Sequence, residues 1–341
     1  MTRTTLKSLA KALNMSVSTV SKALNDSHEI SELTKKRVKE AAAELHYQPN
    51  VLAQSLKTGK TQTIGVVLPK MTGPFESQIL EGMQHAASVQ NYRIVIMNSM
   101  ENEELEGIAL LSMLDKSVDG LLFCPIHENS NVVLAEQIIQ KIPVVIFDRT
   151  DYPLDTHKVG VLNSEGTYSA CKHLFDIGKK NIAIFCGTNQ GITAKRLAGY
   201  QRAHQDFNIP VVDEYTVYCT VKSIPDLHLE MEGHINRLLH LPNPPEAILC
   251  VADTITTHLL GVLAKLEIKV PETLAVMGFA NTDLALSLNP SLSTIRQPTK
   301  DIGEIAVTKL ISLISKPNRS QTAWEDTKLP TSIQLRRSTI G

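Results

Sequence analysis

A chain of 341 residues is too long for one small core and fits two or three domains. With 43% hydrophobic and 20% charged residues it has the composition of an ordinary globular protein. The net charge of −1 conceals a division, because residues 1–60 carry ten Lys/Arg against five Asp/Glu. A basic head on an acidic body points to an anionic partner for the head alone. The N-terminus has no apolar signal stretch and no apolar run nears the roughly 20 residues of a membrane span, so a cytoplasmic location is expected. Five scattered cysteines (Cys124, Cys171, Cys186, Cys219, Cys250) without a C-x-x-C pair read as buried thiols, with no disulfide frame, metal site or other cofactor.

In chain order, Leu6, Leu9, Ala10 and Leu13 repeat at i, i+3, i+4, i+7 and predict a short helix. Asn14-Met15-Ser16 breaks it, and a second helix is expected over Val17–Leu24, ended by Asn25-Asp26-Ser27. Ser31 is placed to cap a third helix over Glu32–Leu45, with Leu33, Val38, Ala41, Ala42 and Leu45 facing inward. Two short helices, a tight turn and a closing helix follow the helix-turn-helix plan. The second helix offers Ser16, Ser18, Thr19, Ser21 and Lys22, small or basic tips suited to a major groove. Periodicity and charge by themselves leave open a DNA reader or a small helical protein-binding module.

The segments SVSTVSKALN (Ser16–Asn25) and ISELTKKRVKEAAAELHYQPNVLAQSLKTGKTQTIGVVLP (Ile30–Pro69) resemble the lactose/galactose-repressor family of bacterial transcription regulators. That resemblance implies that Val17 and Ser18 open the recognition helix. It assigns DNA contacts to Thr5, Leu6, Ser16, Val17, Ser18, Thr19, Ser21, Lys22, Asn25, Tyr47, Asn50, Ala53, Gln54, Leu56 and Lys57. Lys22 stands where the family usually has arginine, exchanging a two-pronged guanine grip for a point donor.

From Pro49 a six-residue helical stretch, Val51–Leu56, runs towards Gly59. So short a helix does not persist alone in water and needs DNA or a partner hinge to order it. In the family a paired hinge leucine wedges into the central base step, and by position it is Leu56. The bland reading is that Leu52 and Leu56 pack between linker and sensor.

From about Thr63 onward, apolar strands alternate with helix-length segments. Strands are expected at Ile64–Leu68, Ile94–Asn98, Gly120–Cys124, Val144–Phe147, Ile182–Phe185, Ala247–Val251 and Leu274–Phe279. Helices are expected at Glu76–Gln90, Leu105–Leu114, Val132–Ile139 and Thr167–Ile177. The pattern predicts two doubly wound parallel-sheet lobes, similar to the type I periplasmic-binding-protein fold that the family carries. The expected division is a head at 1–48, a hinge at 49–61 and a sensor at 62–341. Its N-lobe would hold 62–162 and 291–321, and its C-lobe 163–290 and 322–341, with crossings near Leu162–Gly166, Pro290–Leu292 and Thr322–Lys328.

Ligands in such sheets bind at the strand carboxyl ends. Asp148, at the end of PVVIF, is therefore placed at the cleft mouth, and the resemblance implies two further contacts: Phe75 in GPF, which would stack on a sugar ring or cap its helix, and Arg196 in KRLAGY, similar to the family's Arg-Leu-x-Gly-aromatic segment. Arg196 offers a guanidinium for paired hydroxyls or a carboxylate, or else a salt bridge to Asp148 or Asp253. Two departures from the family stand out. Its Ala-Asn-Asp segment is Val251-Ala252-Asp253, which loses the asparagine and keeps Asp253, and its Gly-Phe-Asp-Asp segment is GFAN (Gly278–Asn281), leaving Ala280 where an aspartate usually binds sugar hydroxyls. Loss of acceptors with Arg196 kept predicts a more positive cleft and a phosphosugar, acidic sugar or carboxylate effector, unless Asn281 or Asp283 substitutes.

An enzyme is disfavoured by the lack of a P-loop, G-x-S-x-G or H-E-x-x-H motif. A secreted solute-binding protein is disfavoured by the basic head, and an architectural DNA protein with a degenerate cleft stays in play. The expected function is a repressor that reads a palindromic double-stranded operator as a homodimer under control of a small-molecule effector, with no membrane partner. No heptad helix follows Leu335–Thr339, so a coiled-coil route to a tetramer is not expected.

Overall fold

The computed structural model describes residues 4–47, 59–187, 190–316 and 323–340. The expected hinge contacts Asn50, Ala53, Gln54, Leu56 and Lys57, with Leu52, lie outside the described residues. Contacts divide the chain into a unit ending at Gln62 and one beginning at Thr63.

The first unit is three helices, α1 (Leu6–Leu13), α2 (Val17–Leu24) and α3 (Glu32–Glu44). Each begins on a hydroxyl cap: Thr5 accepts from Ser8 N, Ser16 from Thr19 N and Ser31 from Thr34 N. Such caps satisfy N–H groups that a helix start leaves without partners. Leu9, Ala10, Leu13, Val20, Ala23 and Val38 form the core. The expected inner face of α3 needs correction, because Leu33 is 80% exposed. At 100° per residue, Leu33 lies about 140° around the helix from Val38. Lys35, one turn before Val38, is buried instead, its ammonium paired with Glu32 and Asp26. Leu45 follows the last turn and is also exposed.

The second unit contains two six-stranded sheets. The first is built from β1 (Thr63–Leu68), β2 (Arg93–Asn98), β3 (Gly120–Phe123), β4 (Val144–Phe147), β5 (Lys158–Val161) and β11 (Asp326–Leu329), in the order β2-β1-β3-β4-β5-β11. The second uses β6 (Ile182–Cys186), β7 (Thr216–Tyr218), β8 (Ala247–Cys250), β9 (Ala275–Phe279), β10 (Ser293–Arg296) and β12 (Ser332–Gln334), in the order β7-β6-β8-β9-β10-β12. All neighbours are parallel except β12, which runs antiparallel to β10. Both sheets thus reverse strand order beside their first strand, the switch point where open α/β sheets place ligands.

Helices cover both faces: α4 (Pro74–Val89), α5 (Glu103–Asp115), α6 (Val132–Lys141) and α11 (Thr299–Ser315) on the first sheet, and α7 (Asn163–Asp176), α8 (Gln190–Asp206), α9 (Ile224–Leu239) and α10 (Asp253–Lys265) on the second. Two-sided coverage explains wholly buried strands such as β3, β4 and β8. The α4–α11 crossing is close: a Cβ on Gly303 would fall 2.2 Å from Ile79 O, and one on Gly82 the same distance from Lys300 O.

Sheet membership moves two expected crossings. β10 belongs to the second sheet, so the chain returns to the first lobe only at Gln297-Pro298, not near Pro290–Leu292. β11 pairs with β5, so the last crossing falls at Pro330-Thr331, not within Thr322–Lys328. Short polar strands such as STIR and DTKL carry too little apolar signal to be read as strands, and lobe assignment follows from their pairing partners.

Candidate functional site

In the head, Val20 and Ala23 point α2 inward, which leaves Ser16, Val17, Ser18, Lys22 and Asn25 exposed and Thr19 and Ser21 half-buried. These residues share one accessible face, but not all of their polar groups are unengaged. The Thr5 and Ser16 hydroxyls cap helices, Asn25 donates to Ser21 O at 2.9 Å, and the Lys22 ammonium is ion-paired with Glu29. Leu6 and Tyr47 pack half-buried against the head core. Val17 and Ser18 are the tips that stand clear.

In the sensor, the carboxyl ends of strands from both lobes meet. β1 leads to Lys70 and the Gly73–Glu76 turn, β4 to Asp148, β8 to Asp253, β9 to Ala280 and Asn281, and β10 to Gln297. Phe75, in the first turn of α4, packs against the first-lobe core. Asp148 adopts a left-handed φ of 61°, a sparsely used conformation that strand pairing sustains through Asp148 N to Val159 O at 2.8 Å. Beside it, Arg149 grips Glu101 with both terminal nitrogens, at 3.1 and 2.7 Å, and donates to the carbonyls of Pro125 and Ile126.

Arg196 is 6% exposed. Its Nε donates to Asn163 Oδ1 (2.8 Å), Nη1 to Val251 O (2.6 Å) and Nη2 to Gln297 Oε1 (3.2 Å). Its guanidinium lies over Phe279, 3.6 Å from the ring centre. These bonds take three of its five N–H donors and go to neutral groups rather than to Asp148 or Asp253. Burial pulls the guanidinium down to about 10, a shift that Asp148 and Asp253 oppose.

The cleft is not the positive one expected from the loss of acceptors. Three carboxylates gather there, Glu76, Asp148 and Asp253, against Lys70, Arg196 and an Arg149 already paired with Glu101. Burial raises all three carboxyls above their ordinary range; Asp148 and Asp253 push Glu76 further while Lys70 offsets them. Glu76 escaped sequence reasoning because its signal is positional: its carboxylate folds back over the start of α4, where a Cβ on Gly73 would lie 2.4 Å from Oε2. Asn281 does not present a free amide in place of the missing carboxylate. Its Nδ2 donates to Gln297 O (2.8 Å) and Gln78 Oε1 (3.2 Å), and its Oδ1 accepts from Gln297 N (3.1 Å). Ala280 is fully buried. Lys195 of the second lobe is ion-paired with Asp151 of the first, and Lys70 of the first reaches Thr254 Oγ1 of the second at 3.5 Å, so the lobes touch across the cleft.

A three-helix head with an exposed recognition face and a two-lobed sensor whose strand ends converge on one cleft define a ligand-sensing DNA-binding regulator. Residues 5–50 match the family described as bacterial regulatory proteins, lacI family, and residues 171–339 match the periplasmic binding protein-like domain. The chain is 30% identical to catabolite control protein A of Priestia megaterium over 98% of its own length and 99% of the relative's. It is 30% identical to the ribose operon repressor of Escherichia coli K12 (93% and 95% covered) and 29% identical to the transcriptional repressor PurR of Aliivibrio fischeri MJ11 (94% and 95%). Among solved structures, the lac repressor dimer bound to operator and an anti-inducer superposes with a TM-score of 0.85 at 22% identity, each chain fully covered. The CelR–cellobiose complex gives 0.71 at 24% identity, covering 98% of this chain and all of that one. The protein belongs to the lacI family of bacterial transcription regulators. No helix among the described residues is long and apolar enough to cross a membrane.

Proposed function

We propose that the protein is a cytoplasmic, non-enzymatic repressor that binds a two-fold operator as a homodimer, with α2 in the major groove and an effector in the interlobe cleft. The single observation that carries the reading is the coexistence in one chain of the α2 face and the carboxylate-lined cleft. Val17 and Ser18 touch base edges, Lys22 exchanges Glu29 for a phosphate or guanine, and the Leu56 wedge of the family resemblance is kept as part of this proposal. Dimerisation is supported by exposed apolar side chains at the equivalent edges of the two sheets. Ile96 and Met100 lie on and beside β2, and Tyr218 and Val221 on and beside β7.

For the effector, Glu76, Asp148 and Asp253 favour a small molecule rich in hydrogen-bond donors, such as a neutral or amine-bearing sugar, and oppose a phosphate. Arg196 and Phe75 complete the contact set with Ala280 as an apolar wall. Selection from random duplexes tests the first half: enrichment of a palindrome that Leu56→Ala weakens is expected, and no enrichment at any salt concentration overturns it. Calorimetry tests the second half with neutral monosaccharides against their phosphates; tighter binding of the phosphates overturns it.

A further inference from the structure

The second crossover carries a cluster of amides that the family resemblance does not explain. Gln78 on α4 belongs to the first lobe, Asn281 follows β9 in the second, and Gln297 and Thr299 flank the strand-to-helix passage between them. Gln78 Nε2 donates to Asn281 O at 3.0 Å, and Gln78 Oε1 accepts from Asn281 Nδ2 at 3.2 Å and from Thr299 Oγ1 at 2.8 Å. Asn281 also clasps both main-chain groups of Gln297, donating at 2.8 Å and accepting at 3.1 Å. Asn281 is 1% exposed and Gln297 7%, so these bonds are shielded from competing water.

Two charged cleft residues reach this cluster by one bond each. Arg196 Nη2 meets Gln297 Oε1 at 3.2 Å, and Asp253 Oδ2 accepts Asn281 N at 2.8 Å. An asparagine is the residue the geometry needs. It must donate to the Gln297 carbonyl and the Gln78 carbonyl oxygen while accepting the Gln297 N–H, and a carboxylate has no proton for the first two.

We infer that Gln78, Asn281 and Gln297 form an interlobe latch at the second crossover that holds the two lobes in contact. Its bonds join α4 of the first lobe to the segment after β9 of the second, so losing the paired amide bonds lets the lobes rotate apart. Through Gln297 and Asn281 it is wired to Arg196 and Asp253, so a molecule that re-aims either residue changes the lobe angle; this last link rests on the effector reading of the cleft.

Spin labels at Glu136→Cys on α6 and Gln201→Cys on α8 report the angle by pulsed dipolar spectroscopy on the full chain. Both positions are exposed, while the five native cysteines are buried and remain unlabelled. The unsubstituted latch should give one narrow distance. Asn281→Asp and Gln78→Leu should each lower the closed-to-open ratio about tenfold, the loss of two net hydrogen bonds, with the melting transition still cooperative. Gln78 is half-buried on a surface helix, so its variant folds even if Asn281→Asp does not. Distance distributions that coincide with the parent's in Gln78→Leu overturn the latch. Because no ligand or DNA is added, failure of the latch is separate from failure of the effector reading.

Discussion

The guanidinium of Arg196 rests 3.6 Å from the ring centre of Phe279, with three hydrogen bonds holding it in that plane. The planar stack and the fork together make the site specific for arginine, since an ammonium can sit over a ring but cannot lie flat on it while reaching three acceptors set around a planar fork. Arg196→Lys should destabilise the sensor by about 1–3 kcal/mol, because buried acceptors at Asn163 and Val251 lose their donor. Urea titration measures the loss, and an unchanged midpoint would show that the fork contributes nothing to folding.

Asp148 should trade stability for function. Its carboxyl is raised by burial, so between the ordinary carboxylate range and the raised value the folded state binds more protons than the unfolded. Stability therefore falls as pH rises through that window. Asp148→Asn should melt higher than the parent at pH 7, with the gap closing towards pH 4, and should bind the effector more weakly. Parallel melting curves across this range would contradict the assignment.

Lys22 provides one cationic contact at the DNA face. Lys22→Ala should weaken binding to the selected operator and reduce the slope of log affinity against log salt by about 1 if the partner is a phosphate. Lys22→Arg should retain affinity and sharpen preference for guanine at one half-site position. Fluorescence anisotropy across a salt series separates the two. An unchanged slope in Lys22→Ala removes Lys22 from the phosphate contacts.

Glu106 braces the cleft wall from behind. It is fully buried on α5, accepting Ile126 N at 2.7 Å and Asn131 Nδ2 at 3.0 Å. Burial raises its carboxyl, and those bonds pull the other way. Glu106→Ala should cost about 1–3 kcal/mol by removing the carboxylate that accepts from Ile126 N, while the Asn131 amide keeps Glu103 O. Hydrogen exchange should show the loss first at Ile126, ahead of the sheet.

Much of this protein is legible in its residues. The i, i+3, i+4, i+7 spacing of α1 and the hydroxyl caps of all three head helices are local, so the sequence predicts them. Runs such as VVIF announce strands buried on both faces, and their alternation with helices announces parallel lobes. The strand end at PVVIF likewise places Asp148 at the cleft mouth, and the family resemblance of KRLAGY places Arg196 there.

Other features depend on partners distant in the chain. STIR is a strand of the second lobe only because it pairs with β9, and DTKL is a strand of the first only because it pairs with β5. The acidic balance of the cleft needs Glu76, Asp148 and Asp253 to meet from α4, β4 and α10, and no local pattern records that meeting. Asn281 reads in sequence as a substitute for the sugar ligand lost at Ala280, yet its bonds to Gln78, more than 200 residues away, make it a tie between lobes. Periodicity is set by neighbours a turn apart and survives in one dimension, whereas charge balance and hydrogen-bond partners are properties of a space that only folding assembles.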